Sequence, residues 1–169
     1  MAPRFGTVRR AGPFVPQDKL KPSAHIVRRL FRDGWAVEIR WGARLIVGLG
    51  VDIAEVGRIK AAIERHGEVF LRRVYTPREI EYCERFKNKF ERYAGRFAAK
   101  EAAMKALGTG WARGVRWVDV EVVRQKGGRP TMALAGEAGK VAEQLGVKNI
   151  ALSITHTETQ ALAQVIFEG

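Results

Sequence analysis

With one cysteine, Cys83, among 169 residues, the sequence has no internal disulfide framework and no multi-cysteine metal site, which fits a reducing compartment. Cys83 itself reads as a small packed residue rather than a nucleophile. No run of about 18 apolar residues occurs, and the first thirty residues lack the apolar stretch of a secretory signal. Neither a membrane span nor export is indicated, and the expectation is a cytoplasmic protein. Two phosphate-binding signatures are also missing, the glycine-rich loop ending in Lys-Ser/Thr and the GxGxxG fingerprint. Any phosphate site must therefore be built from side chains and a metal ion. The chain is long enough for one domain with a real core and too short for two.

Acidic residues are scarce, 18 against 30 Lys and Arg, for a net charge of +12. That excess invites a nucleic-acid reading, but its distribution weakens it. Residues 1–44 hold ten basic and three acidic residues, a net +7, while the remaining 125 hold twenty and fifteen, a net +5. The body is thus moderately basic and suited to anionic partners in general, phosphorylated cofactors and acidic proteins included. Residues 1–44, with Pro3, Pro13, Pro16 and Pro22, show no helical or strand period beyond a short turn near Ile26–Phe31. They are expected to be a poorly ordered basic extension, upstream sequence from an early start codon, or a transit peptide, which the low serine content disfavours.

Periodic structure begins at Leu45. In Leu45–Ile53, Val47, Leu49, Val51 and Ile53 fall on one face of a strand, expected to pack, and Gly48, Gly50 and Asp52 on the other, bare except for a carboxylate. Glu55–His66 predicts a helix with Val56, Ile59 and Ile63 on its apolar stripe, ended by Gly67. Thr76-Pro77-Arg78-Glu79 has the form of a capping box opening a helix to about Phe86. After the charged interruption Lys87–Glu91, Arg92–Leu107 predicts a long alanine-rich helix stopped by Gly108. Two strands, Trp117–Val123 and Thr131–Leu134, flank a turn over Gln125–Pro130, Glu137–Leu145 predicts another helix, and Ile150–His156 and Ala161–Phe167 form a closing hairpin. The order β-α-α-α-β-β-α-β-β over residues 45–169 indicates an α+β domain with a mainly antiparallel sheet.

Several residues are candidates for chemistry, each with a plainer alternative. Asp52 follows two glycines that open its strand face, or it caps the helix behind it. Glu101 and Lys105 share a helical face with Phe97, and Arg96 and Lys100 form an adjacent basic row; a solvated Glu–Lys pair is the plain reading. Asp52 and Glu101 together would offer the hard oxygen ligands that Mg²⁺ takes, with Lys105 one turn on to reach a phosphate. His156 ends a strand, as a ligand or a satisfied sheet residue. Arg58, Lys60 and Arg65 on the first helix are a docking face or a solvated one.

Taken together, Gly48-Leu49-Gly50-Val51-Asp52-Ile53 with Arg58-Ile59, Ala94-Gly95-Arg96-Phe97-Ala98-Ala99-Lys100-Glu101-Ala102 with Lys105-Ala106, and Ser153-Ile154-Thr155-His156-Thr157 resemble the holo-acyl-carrier-protein synthases, the short form of the 4′-phosphopantetheinyl transferases. The resemblance runs from about Leu45 to the C-terminus, in order and spacing. It implies the α+β fold of that family, a mainly antiparallel sheet packed with a long central helix. It implies a transferase of lipid metabolism that moves phosphopantetheine from coenzyme A to a serine of apo-acyl carrier protein, in fatty acid biosynthesis, releasing 3′,5′-ADP. Asp52 and Glu101 would bind Mg²⁺, and Lys105 would neutralise the pyrophosphate. Arg96, Lys100 and His156 would surround the nucleotide end, with Lys87 toward the 3′-phosphate, and Arg58, Lys60 and Arg65 would receive the carrier's acidic helix. Glu101, directly or through a metal-bound water, is the expected base. A homotrimer with sites at subunit interfaces is implied, with no membrane or nucleic-acid partner. The rival readings are a transferase for assembly-line carriers, whose long form resembles two copies of this unit, a basic RNA-binding module, and an inactive homologue within a larger synthase.

Overall fold

The computed structural model describes residues 25–30, 36–41, 45–110, 114–124 and 128–169. The chain divides into two units, residues 1–43 and 44–169. In the first, strands β1 (His25–Leu30) and β2 (Ala36–Trp41) pair antiparallel, from His25 opposite Trp41 to Leu30 opposite Ala36. This corrects the sequence expectation of no strand before Leu45 and replaces the turn expected near Ile26. The β-branched Ile26, Val27, Val37 and Ile39 carry the strand propensity, which interspersed charges hide from a periodicity count. The prolines of this unit lie outside the described residues.

The second unit runs β3 (Ile46–Glu55), α1 (Val56–Val74), α2 (Pro77–Glu84), α3 (Lys89–Ala106), β4 (Val120–Arg124), β5 (Pro130–Leu134), α4 (Gly136–Gln144), β6 (Asn149–His156) and β7 (Gln160–Glu168). This is the order the sequence predicts. A single 3₁₀ turn at Trp117–Asp119 precedes β4, where the sequence predicts strand already. Residues 125–127 of the predicted turn between β4 and β5 lie outside the described residues. The capping box at Thr76 is complete: the Glu79 backbone amide donates to the threonine hydroxyl, and the Thr76 amide donates to the Glu79 carboxylate. Gly67 does break α1, with φ of 54°, but the chain resumes helical geometry to Val74.

Strands β3, β7 and β6 form one antiparallel sheet in that order, and β4 pairs with β5 in a second. Helix α3 lies across one face of the three-stranded sheet, where its alanines pack with Ala161, Ala163, Val165 and Phe167 of β7 in the core. The glycine face of β3 is turned to this helix, and that corrects the expectation of which face packs. A Cβ on Gly48 would stand 2.4 Å from the Ala106 carbonyl oxygen, and one on Gly50 only 1.9 Å from that of Ala102. Two glycines on the strand facing alanines on the helix let the backbones meet in direct contact. Leu49, Val51 and Ile53 are consequently turned outward, 56%, 43% and 57% exposed.

Backbone atoms cannot swing aside as a side chain can, so Gly50→Ala must lift α3 off β3. The expected result is a loss of about 1–3 kcal/mol, the usual range for forced overpacking, read as a lower thermal midpoint. Gly57→Ala, where an added Cβ meets nothing within 4 Å, serves as the control with little change.

Candidate functional site

Close seating of α3 on β3 decides what stands beside Asp52. The Lys105 ammonium donates to Asp52 Oδ1 at 2.8 Å and to the Val51 carbonyl at 3.0 Å, joining the last turn of the helix to the strand. Lys105 therefore pairs across the fold rather than along its own helix with Glu101. The helix-capping alternative for Asp52 also fails, because Glu55 is the N-cap of α1 and no side chain caps it. Glu101 lies one turn before Lys105 and close enough to feel both groups. Partial burial and the Asp52 charge raise its carboxyl above the ordinary range, while Lys105 pulls the other way.

The donor set is two carboxylates with the Lys105 ammonium beside them, and among the described residues no cluster of three or more His, Cys, Asp or Glu could hold a metal. That composition suits Mg²⁺, which keeps several waters and usually takes one or two carboxylates plus substrate phosphates, and it does not suit zinc.

A second cluster lies toward the N-terminal end of the same helix, in a cleft of about 200 Å³ lined by Arg92, Arg96, Arg124, His156, Glu91 and Tyr82 among others. His156 faces Glu91, Nδ1 to Oε2 at 3.2 Å, and Asn88 donates to the same oxygen at 2.7 Å. None of the three arginines has an ion-pair partner among the described residues, and the Nε atoms of Arg92 and Arg96 are buried without a hydrogen bond. In the sheet, His156 is in register with Ala161 and Ala54, two positions beyond Asp52 on β3. From strand spacing and rise, the two clusters stand roughly 12 Å apart at the backbone.

The structure thus brings Asp52, Glu101 and Lys105 together, and separately Arg96 and His156. It does not bring Lys100 to either cluster. Lys100 is fully buried, 2.8 Å from the equally buried Glu79 carboxylate, and donates to the carbonyls of Trp117 and Val120. All three ammonium hydrogens are engaged inside the core, which corrects the expectation of Lys100 at the nucleotide end; burial lowers its pKa, against the pull of Glu79. Lys87 is exposed in the turn between α2 and α3 and does not line the cleft. Arg58, Lys60 and Arg65 are exposed on α1; among the described residues only Lys60 of the three has a salt bridge, to Glu64 at 3.8 Å. Cys83 is fully buried and its thiol is pushed up to about 12 by burial, as befits packing rather than reactivity.

Arg92, Arg124, Glu91 and Tyr82 were not legible as site residues. Arg92 had a signal, one helical turn before Arg96, whereas Arg124 reaches the cleft only through the docking of β4 beside α2.

Residues 48–165 match the family described as the 4′-phosphopantetheinyl transferase superfamily. A holo-[acyl-carrier-protein] synthase of Solibacter usitatus is 63% identical over 125 residues, covering 74% of this chain and all of that one. Among solved structures, the holo-[acyl-carrier-protein] synthase of Neisseria meningitidis superposes with a TM-score of 0.67 at 32% identity, covering 74% of this chain and 100% of that one. The Bacillus anthracis enzyme, solved in complex with CoA (3′,5′-ADP), gives 0.60 at 36% identity, with 75% and 98% covered. With two thirds of its length inside the family match and its carboxylates and lysine gathered on one strand and one helix, this chain belongs to the holo-[acyl-carrier-protein] synthase family of the 4′-phosphopantetheinyl transferases.

Proposed function

We propose that this chain transfers the 4′-phosphopantetheine group of coenzyme A to a serine hydroxyl of an apo-acyl carrier protein, in fatty acid biosynthesis in the cytoplasm. The observation that carries the proposal is the meeting of Asp52, Glu101 and Lys105 where α3 seats on the glycines of β3. Asp52 and Glu101 are the residues that would hold Mg²⁺. When bound, that ion supplies charge stabilisation for phosphate oxygens and for the departing nucleotide.

In the reaction the serine Oγ forms a bond to the β-phosphorus of coenzyme A, the bond from that phosphorus to the bridging oxygen breaks, and 3′,5′-ADP leaves with the electron pair. Lys105, already held at the mouth of the pair by Val51 and Asp52, places a fixed positive charge beside the phosphates. Glu101 is the proposed acceptor of the serine proton. Arg96 and His156 hold the nucleotide end in the second cluster. Much of the remaining acceleration comes from holding serine and phosphorus in line.

Carrier docking falls to α1, which leaves β3 three residues after Asp52. Arg58 and Arg65, exposed and without salt bridges among the described residues, with Lys60 beside them, offer positive charge to an acidic helix. Such docking accelerates encounter and weakens with salt. The exposed Leu49, Val51 and Ile53 supply an apolar sheet face that further copies of the chain would cover, consistent with a homotrimer. No helix among the described residues is long and apolar enough to cross a membrane. Residues 1–44 lie outside the family match and are proposed as an extension separate from the transferase domain.

The test is direct. Apo-carrier protein incubated with this chain, coenzyme A and Mg²⁺ should gain the mass of one phosphopantetheine per carrier, and omission of the metal should prevent the gain. A carrier whose mass stays unchanged under the complete mixture overturns the proposal.

A further inference from the structure

Three arginines converge on the cleft beside His156, and α2 and the turn that follows it supply the aromatic side chains that hold them. The Tyr82 ring carries two guanidinium groups, with the Arg96 Cζ 4.0 Å and the Arg124 Cζ 5.0 Å from its centroid. Arg124 also donates from Nη2 to the Tyr82 hydroxyl at 2.6 Å. One turn further along, Phe86 packs against Tyr82 at 5.0 Å and carries the guanidinium of Arg92 on its face at 4.8 Å. Arg96 is only 7% exposed. Among the described residues its Nε has no partner, and its one hydrogen bond, to the Arg92 carbonyl, is long at 3.4 Å. A buried guanidinium left this unsatisfied among the described residues is held ready for an acceptor from outside. Glu91, the acid lining this cleft, is already engaged by Asn88 and His156.

Like charges brought this near repel, and the π face of an aromatic ring offsets part of that repulsion for both cations at once. The ring also fixes the planes of two forks that would otherwise swing freely. A phosphate monoester is the anion that suits the result, since it carries close to two charges at neutral pH and three oxygens for charge-assisted hydrogen bonds, whereas a diester carries one charge.

We infer that Tyr82 is a positioning residue that sets substrate specificity: by ordering Arg96 and Arg124 it makes the cleft select a nucleotide end bearing a phosphate monoester. This rests on the reading that the cleft receives the nucleotide end of coenzyme A. Tyr82 touches no reacting atom, so its effect belongs to binding rather than to the chemical step.

The experiment compares coenzyme A with 3′-dephospho-coenzyme A as substrates for wild type, Tyr82→Leu and Tyr82→Phe. Wild type is expected to favour coenzyme A through KM. Tyr82→Leu is expected to raise KM for coenzyme A about tenfold. It should leave kcat within about twofold and KM for the carrier and for the dephospho substrate nearly unchanged. Tyr82→Phe keeps the ring beneath Arg96 and loses only the acceptor for Arg124, so it should restore most of the preference. Calorimetric binding of 3′,5′-ADP against 5′-AMP gives the same comparison without turnover, and Tyr82→Leu should erase the difference between them. Equal loss for both nucleotides, or a fall in kcat alone, overturns the inference by marking Tyr82 as merely structural. A wild-type enzyme that transfers equally from both substrates also overturns it, while leaving the proposed transfer standing. Absence of transfer from either substrate overturns the transfer itself, and equal affinity for 3′,5′-ADP and 5′-AMP then disposes of the inference as well.

Discussion

Replacing Glu101 by Gln is expected to reduce phosphopantetheine transfer by about 10²–10³-fold or more, and at the same time to raise the thermal midpoint of the metal-free protein. The two effects have opposite signs for one reason. Burial and the neighbouring Asp52 raise the Glu101 carboxyl, so the folded chain holds that proton more tightly than the unfolded chain does. Its contribution to stability is present at low pH and is lost as the pH rises through the raised value. At neutral pH without a divalent ion the ionised carboxylate is a liability, and the neutral amide removes it. Added Mg²⁺ should therefore raise the midpoint of the wild type and leave that of Glu101→Gln nearly unmoved. Asp52→Ala should lose transfer to a similar extent, since it also removes the carboxylate partner that holds Lys105. Intact-mass analysis of the carrier reads the first effect, and calorimetric melting with and without Mg²⁺ reads the second. A Glu101→Gln protein that retains transfer, or that melts lower than wild type in the absence of metal, contradicts the assignment.

Removal of the Lys100 side chain should produce the largest loss of stability among the side chains considered. Lys100→Ala leaves the Glu79 carboxylate buried without its cation, a situation that costs about 3–5 kcal/mol. Against a total stability of about 5–15 kcal/mol, that is at least about a fifth of the fold's stability. Glu79 joins three elements, for it also accepts from the Thr76 amide at the start of α2 and from the Val122 amide of β4, at 2.9 and 3.0 Å. Denaturant titration should show a lowered midpoint, and the double variant Lys100→Met with Glu79→Gln should lose less than the two single losses combined, because no unpaired charge remains buried. Whatever Lys100→Ala protein folds should bind 3′,5′-ADP nearly as wild type does. A selective loss of nucleotide affinity at unchanged stability would show instead that Lys100 reaches the ligand.

The contrast between Lys100 and Glu101, adjacent on one helix, shows where local sequence stops being informative. Both belong to the same recognisable run, Ala98-Ala99-Lys100-Glu101-Ala102, and both look like polar side chains on an alanine-rich helix. A rotation of about 100° per residue sends one toward Asp52 and the other into the core beneath the 3₁₀ turn at Trp117. The alanines take only about half of the circumference, and the other half mixes Tyr93, Phe97 and Met104 with Arg96, Lys100 and Glu101, so the period of the helix does not say which charged side chain is buried. The same ambiguity reversed the expected burial of β3: alternation separates Leu49, Val51 and Ile53 from Gly48, Gly50 and Asp52, yet the bulky set is the exposed one.

Local chemistry was enough for the elements themselves. The capping box at Thr76, the break at Gly67, the closing hairpin and the α+β order are written in short stretches whose physics involves neighbours in sequence. The residue types of the carboxylate site were likewise legible, through a resemblance spread over three separated blocks. Only the tertiary structure decided that two glycines seat a helix backbone on a strand, that Lys105 pairs with Asp52 rather than Glu101, that Lys100 is a core cation, and that Arg92 and Arg124 join Arg96 in one cleft. Each of those facts is a contact between residues distant in sequence, with the packing of whole elements setting the distance, and no local propensity encodes it.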